Sequence, residues 1–373
     1  MPSHNGVRMR VLILGGYGVF GGRLARLLVQ DGAEVIVAGR DAGKAEAFTR
    51  QFGGAPLSLD ITQDLSPILA AAPEIVVDAA GPFQAYRQDP YRVPRFCIEH
   101  GMHYCDLSDD ADFTAGIAQL NEAAVEAGCF ALSGVSSVPA LSAAAVKALA
   151  EGFSEILAIE TALVPGNRAP RGRSVIASIL NQTGEPLKVW AGGEWRLLRG
   201  WSDAKAISFG SGFNRRVYVI GAPDLKLFPD AFGARTVIFR AGLELGLMHR
   251  SLAVLGKLRA RHLLPNLTAF LGPILWASEW LEPFGSDRGA MAVDVTGLLD
   301  GQAVTRRWQI IASKGEGPFI PAVPARAIVR KYGSIPPGAR PCLFDLSLSE
   351  IESAMAGLSV ECSRQVLPEQ RAA

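Results

Sequence analysis

The chain has 373 residues, of which 49% are hydrophobic and 20% charged, and its formal net charge is +1. This composition supplies enough apolar side chain for about two domain cores and excludes an intrinsically disordered chain. A net charge so close to zero offers no general attraction to a phosphate backbone, so nucleic acid is not expected as a partner. The five cysteines are scattered, without the paired spacing of metal sites. They predict reduced thiols, no metal and a cytoplasmic location.

Short apolar runs alternate with helical segments along the N-terminal third of the chain. The predicted strands cover residues 10–14, 34–38, 56–60, 74–78, 103–106 and 129–132. The predicted helices between them cover residues 21–30, 42–52, 65–72, 90–100 and 110–127. Strands that are apolar on both faces and alternate with helices are typical of a doubly wound parallel sheet. The predicted fold class is therefore α/β.

The first strand runs into a glycine-rich turn, Gly15-Gly16-Tyr17-Gly18-Val19-Phe20-Gly21. Its Gly-x-Gly-x-x-Gly spacing falls where a strand gives way to a helix. In that context the three glycines allow a tight turn, close approach of a pyrophosphate to the backbone, and packing of the helix on the strand. The glycine spacing alone would be weak evidence for a nucleotide site, since a chain with 40 glycines can match it by chance. The flanking strand and helix make it a predicted dinucleotide-binding site.

An arginine stands at the end of the second strand, where NAD-binding sites usually carry an acidic residue. Arg40 follows the glycine loop by roughly 20 residues. A guanidinium can bind a 2′-phosphate through two hydrogen bonds, which favours NADP(H) over NAD(H). The alternative is that Arg40 is an ordinary surface charge and that Asp41 contacts the ribose. Asp60, at the end of the third strand, is a candidate for the adenine edge, or else a turn residue or helix cap.

Small residues follow the fourth strand, which ends at Asp78. In the common strand order 3-2-1-4-5-6, this end borders the crevice where the order reverses. The segment predicts a backbone wall for the nicotinamide end of the cofactor, formed by Ala79, Ala80, Gly81 and Pro82.

Hydride transfer needs a nearby group that donates a proton or a hydrogen bond. Tyr104 and Asp106, at the carboxyl end of the fifth strand, are the predicted catalytic candidates. A structural alternative stays open for both. Side-chain alternation could direct Tyr104 into the core, and Asp106 could cap the following helix.

Several motifs together resemble the saccharopine dehydrogenase-like family. They are the segments 15–21, 38–40, 79–83, 97–108 and 134–142. The resemblance implies an NADP-binding Rossmann domain, an oxidoreductase activity, and a second domain inserted before helices that return to the first. In saccharopine reductases the segment matching 136–142 carries an acidic residue that this chain lacks, which argues against saccharopine as substrate. The family also contains trans-acting enoyl reductases on lipid-like substrates, an alternative activity.

A change of pattern near residue 154 predicts a second domain. Alternating strands at 156–163, 215–220, 236–239, 290–299 and 304–313 indicate a mainly antiparallel sheet, and Asp300-Gly301 indicates a hairpin. The predicted domains are 1–138, which binds NADP(H), and 139–319, an α+β domain for substrate binding or dimerisation. Residues 320–373 are expected to pack back on the first domain, with a helix at 321–332. A small-molecule substrate is expected between the domains.

Helical periodicity dominates residues 242–282. The first half has a basic face and the second half is apolar and aromatic. Two interpretations stay open: a helical hairpin that packs on the sheet or across a homodimer interface, and a surface for a membrane or an acyl chain. From the motifs as a whole we expect an oxidoreductase that forms a homodimer. The alternative from a different class is a non-catalytic NADP(H)-binding sensor or membrane-peripheral protein.

Overall fold

The computed structural model describes residues 9–83, 86, 89–170, 173–210, 212–264 and 266–368. The chain divides into two compact units. Unit 1 contains the described residues up to Leu141 together with Pro318–Ala354, and unit 2 contains Ser142–Gly317 together with the described residues from Met355 onward.

Unit 1 is built on a seven-stranded parallel sheet in the order β15-β6-β5-β4-β1-β2-β3. Its strands are β1 (Arg10–Leu14), β2 (Glu34–Gly39), β3 (Ala55–Ser58), β4 (Ile75–Asp78), β5 (His103–Asp106), β6 (Phe130–Ser133) and β15 (Gly338–Pro341). Its helices are α1 (Gly21–Gln30), α2 (Ala42–Phe52), α3 (Ser66–Ala71), α4 (Arg92–Glu99), α5 (Ala111–Gly116), α6 (Asn121–Glu126), α12 (Val323–Lys331) and α13 (Leu348–Ala354). The predicted doubly wound α/β fold is confirmed.

The central strands of unit 1 are buried on both faces. Residues 11–14 of β1 are at most 1% exposed, and all four residues of β4 are buried. This explains their unbroken apolar sequences, because helices cover both sides of the sheet. The sheet gains β15 beyond the predicted six strands. Its sequence, Gly-Ala-Arg-Pro, is short and lacks the apolar run that marks the others.

Unit 2 contains a mixed, mostly antiparallel sheet, as predicted, with the path β10-β11-β12-β7-β13-β14-β16 and with β8 and β9 joined through β12. Its strands are β7 (Glu155–Val164), β8 (Pro186–Trp190), β9 (Trp195–Arg199), β10 (Ser202–Ser208), β11 (Asn214–Val219), β12 (Val237–Ala241), β13 (Gly289–Leu299), β14 (Gln302–Ala312) and β16 (Val360–Leu367). Its helices are α7 (Ser142–Leu149), α8 (Arg173–Gln182), α9 (Pro223–Phe232), α10 (Gly246–Ala260) and α11 (Leu271–Trp280).

The predicted hairpin joins β13 to β14 in antiparallel register. Asp300 and Gly301 have φ of +50° and +80°, the left-handed values that this class of turn needs. Four strands of unit 2 were not predicted: β8, β9, β10 and β16. Most positions of β9 and β16 are exposed, so these strands lack the apolar alternation from which strands are predicted.

The C-terminal segment, described as far as residue 368, is divided between the two units, which differs from the expectation that residues 320–373 pack on the first domain as a whole. Helix α12 lies in unit 1, close to the predicted 321–332. Strand β16 pairs with β14 of unit 2 instead.

The single helix predicted at residues 110–127 is divided into α5, a 3₁₀ turn at Ile117–Leu120 and α6. Among the described residues, no helix is long and apolar enough to cross a membrane.

Candidate functional site

The glycine loop between β1 and α1 packs directly against the end of β4. Gly15 has φ +67°, and a β-carbon at this position would lie 2.7 Å from both Ala79 O and Ala80 Cα. A β-carbon on Gly21 would overlap Gly15 O. Real β-carbons do not approach backbone atoms so closely, so both positions need glycine. The structure therefore brings the predicted segments 15–21 and 79–82 together, with the Gly81–Pro82 peptide bond cis.

Helix α1 begins at the end of this loop, at Gly21. Phe20 is the residue that precedes the helix, and it supplies no side-chain cap to the first-turn N–H groups. Gly18 N donates to Gly15 O at 2.8 Å, which closes the turn. A helix N-terminus without a side-chain cap, preceded by a glycine-rich turn, places the positive end of the helix dipole where a pyrophosphate can bind.

Tyr17 orders the segment that carries Arg40. The Tyr17 hydroxyl accepts a hydrogen bond from Asp41 N at 3.0 Å, while the Asp41 carboxylate caps α2 by accepting from Lys44 N. Arg40 is exposed at the carboxyl end of β2. The Asp41 carboxylate, the alternative ribose ligand, is thus engaged as a helix cap.

Asp60 lies near Arg40 at the end of β3. Its Oδ1 accepts hydrogen bonds from Thr62 N at 3.0 Å and from Thr62 Oγ1 at 2.8 Å. These bonds, with a smaller contribution from the Arg40 charge, lower the pKa of Asp60. The contacts are those of a local turn, which is the second of the two roles predicted for this residue.

Two buried carboxylates lie side by side at the carboxyl edge of the sheet. Asp78 of β4 and Asp106 of β5 are register partners, and each is 0% exposed. Asp78 Oδ1 accepts from Ala80 N at 2.9 Å, and the Tyr86 hydroxyl donates to the same carboxylate at 3.3 Å. Burial raises the pKa of Asp78 to about 6, although these hydrogen bonds oppose the rise.

Asp106 is held mainly through one oxygen. Its Oδ1 accepts from Ser108 N, Ser133 Oγ and Gly134 N at 2.8–3.0 Å. Its Oδ2 is buried and has no hydrogen-bond partner within the described part of the chain. Burial raises the pKa of Asp106 to about 7, and the neighbouring Asp78 adds to the rise. This carboxyl group can therefore hold a proton near neutral pH.

The two tyrosines near these carboxylates differ in exposure. Tyr104 is 0% exposed and lies in the core of unit 1, where burial raises its pKa well above the usual value. Tyr86 is only partly buried, and its ring packs 5.4 Å from Phe83. Sequence reasoning missed Asp78 and Tyr86 as a pair. The position of Asp78 at the end of a predicted strand could have marked it as a candidate, but no sequence pattern predicts that the Tyr86 hydroxyl contacts its carboxylate.

The geometry of unit 1 agrees with a known family. Residues 11–132 match the family model of the saccharopine dehydrogenase NADP binding domain. Unit 1 thus contains a saccharopine dehydrogenase-type NADP-binding domain. The predicted resemblance and the predicted NADP(H) cofactor are confirmed by this match. The roles of individual site residues, the homodimer and the functional domain limits stay predictions.

One solved structure is similar in fold to this chain over nearly its whole length. Apo saccharopine dehydrogenase (L-Glu forming) from Saccharomyces cerevisiae matches with a TM-score of 0.64 at 15% identity, over 96% of this chain and 100% of that chain. The WlbA dehydrogenase from Chromobacterium violaceum matches with a TM-score of 0.39 at 12% identity, over 83% of this chain and 76% of that chain. No curated protein matches the sequence. At 15% identity the first similarity establishes the fold and leaves the substrate open.

Proposed function

We propose that this protein is an NADP(H)-dependent oxidoreductase that transfers a hydride between the nicotinamide and a carbon–nitrogen or carbon–carbon double bond of a small molecule. The observation that carries the proposal is the close packing of the glycine loop, at Gly15 and Gly21, against Ala79 at the end of β4. This contact lies between β1 and β4, where the order of the parallel sheet reverses. Dinucleotides bind in the crevice at such a reversal.

Arg40 is the residue proposed to select NADP(H). It is exposed, and among the described residues it forms no salt bridge, so its guanidinium is free to bind a 2′-phosphate. Tyr17 and the α2 cap position the backbone on its C-terminal side through Asp41. A charge-assisted contact of this kind contributes about 1.5–3 kcal/mol, or roughly a tenfold to hundredfold preference.

The Asp78–Tyr86 pair is the proposed source of the proton that accompanies hydride transfer. When bound, NADP(H) supplies or accepts the hydride. Tyr86 is partly exposed, and its hydroxyl is held by the Asp78 carboxylate. Ala80 N fixes that carboxylate beside the proposed nicotinamide wall. The predicted candidates Tyr104 and Asp106 are each 0% exposed, so in this proposal they have a structural role and do not contact the substrate.

Calorimetric titration with NADPH and with NADH tests the cofactor assignment. Calorimetry is preferable to tryptophan fluorescence because all six tryptophans lie at positions 190–308, in unit 2. The wild type should prefer NADPH, Arg40→Ala should lose that preference, and the exposed control Arg50→Ala should keep it. If neither nucleotide binds the wild type, the oxidoreductase proposal fails.

A substrate panel then tests the activity. NADPH absorbance should fall in the presence of an imine, an enoyl thioester or a carbonyl compound. Consumption of NADPH with enoyl thioesters, and with no other compound of the panel, would favour the enoyl reductase alternative. Tight NADPH binding with no turnover across the panel would instead favour a non-catalytic sensor.

A further inference from the structure

Helix α10 presents apolar and basic side chains together on its solvent-exposed face. Leu247 and Val254 are 61% and 56% exposed. Three exposed cations share their stripe, because these positions recur every three or four residues. The stripe consists of Leu247, Arg250, Val254, Lys257 and Arg261. Such a face is unusual for a helix in water, where the exposed side is normally polar.

The opposite face of α10 packs against unit 2, with His249, Leu252 and Gly256 buried. His249 is 5% exposed, and its ring lies 5.1 Å from Tyr218 and 5.9 Å from Trp201. Arg259 forms a salt bridge with Glu185 at 2.7 Å and donates to carbonyl groups at the end of α8. The helix is thus anchored in unit 2 by this face. His249 and Arg259 therefore pack within unit 2, as one of the two interpretations of this region expects. That packing does not account for the exposed stripe.

Exposed aromatic side chains follow on α11 and its flanks. Trp276 and Trp280 are 62% and 68% exposed, and their rings lie 5.5 Å apart. Phe284, just beyond the helix, is 75% exposed. Helix α11 packs against α8, the helix that also receives Arg259 of α10. Both helices are therefore joined to α8, and both carry exposed apolar side chains.

The charge of this region favours an anionic partner. Residues 245–278 contain four Lys or Arg and no Asp or Glu, and three of these cations, Arg250, Lys257 and Arg261, are exposed on α10 or at its end. The acidic residues Glu279 and Glu282 lie among the exposed aromatic side chains, so the positive charge is concentrated on the α10 stripe. In a symmetric dimer the same patch would face itself, placing these cations opposite one another. Anionic phosphate groups above an apolar layer match both the cations and the exposed tryptophans.

We propose that the exposed stripe of α10 together with Trp276, Trp280 and Phe284 is a docking surface for an anionic lipid bilayer. In this arrangement the aromatic rings enter the headgroup region and the cations contact lipid phosphates. The helices lie in the plane of the interface. The surface shares no residue with the proposed cofactor site, and the proposal does not depend on the reaction.

Sedimentation with vesicles tests this surface in the full-length protein. The wild type should bind vesicles of phosphatidylcholine and phosphatidylglycerol mixed at about 2:1, with binding that weakens at high salt. Trp276→Ser/Trp280→Ser and Lys257→Glu/Arg261→Glu should each lower binding about tenfold. The matched controls Leu197→Ser and Lys188→Glu, also exposed in unit 2, should bind as the wild type does.

Two results would overturn the proposal. One is equal binding of the wild type and both double variants. The other is a wild-type dimer in analytical ultracentrifugation that the tryptophan variant dissociates, with no vesicle binding by either protein. Unchanged circular dichroism and NADPH affinity show that each variant is folded, so a loss of binding can be assigned to the surface.

Discussion

The ring of Tyr17 lies against the α-carbon of Gly39, so closely that a β-carbon on Gly39 would be 2.6 Å from Tyr17 Cζ. The same tyrosine accepts a hydrogen bond from Asp41 N. The glycine loop and the end of β2 are therefore positioned by one side chain. Pyrophosphate and 2′-phosphate recognition are coupled through it in the proposed site.

Gly39→Ala should displace Tyr17 and weaken NADPH binding about tenfold or more, because the added methyl group has no space. Calorimetric titration measures the loss. Gly43→Ala is the matched control. Its β-carbon would meet only Asp41 Oδ1 at 3.5 Å, an ordinary contact, and alanine favours the helix. Equal NADPH affinity of Gly39→Ala and the wild type would contradict this role for Tyr17.

Tyr86→Phe should lower kcat by about 100-fold or more on a substrate found in the panel, and leave NADPH affinity unchanged. The variant removes only the hydroxyl that donates to Asp78. Tyr91→Phe is the control, since the Tyr91 hydroxyl donates to Phe113 O at 2.9 Å within the same aromatic cluster. If both variants lose kcat equally, the effect is structural and Tyr86 has no specific role.

The buried carboxylates should make the protein less stable as pH rises from about 4 to 7. The folded-state pKa values of Asp78, Asp106 and Asp224 are raised to about 6, 7 and 7, from an ordinary value of 3.8. Within this window the native state binds more protons than the unfolded state, so the free energy of unfolding falls with rising pH. Thermal unfolding followed across this pH range measures the slope.

Asp106→Asn should make that pH dependence shallower, because an amide does not titrate and only Asp78 and Asp224 would still contribute. The control Asp300→Asn, in an exposed hairpin turn where asparagine accepts positive φ, should leave the slope unchanged. A wild-type Tm that rises steadily between pH 4 and 7 would show that these carboxyl groups do not dominate the titration.

Asp31→Asn should destabilise unit 1 by about 2 kcal/mol. The Asp31 carboxylate, at the end of α1, accepts hydrogen bonds from Arg326 and Arg330 of α12 at 2.7–2.9 Å. These guanidinium groups lower the pKa of Asp31 to about 2, against the opposing effect of burial. Their stabilisation is present above about pH 4 and is lost as pH falls through about 2.

Urea unfolding followed by circular dichroism measures this loss. Glu34→Gln is the control, since its salt bridge with Arg10 is exposed and screened by water. It should change stability much less than Asp31→Asn. A similar decrease in the free energy of unfolding for the two variants would contradict the proposed anchoring of α12 by Asp31.

Local sequence determined the parallel sheet and the cofactor loop of this protein. Helices α1 and α2 have the predicted bounds, 21–30 and 42–52. Apolar runs, helical periodicity and turn glycines act over a few neighbouring residues, so the sequence carries them directly. The turn at Asp300-Gly301 was predictable for the same reason.

Only the tertiary structure decided which distant side chains meet. Asp78 pairs with Asp106 because β4 and β5 are adjacent, and Asp31 meets Arg326 across 295 residues of chain. Periodicity predicted a helical region at residues 242–282, which contains α10 and α11, but it could not tell which face of α10 is buried, because both faces carry apolar residues. Such contacts depend on strand order and on packing between elements, and a single sequence encodes these only through the folded chain as a whole.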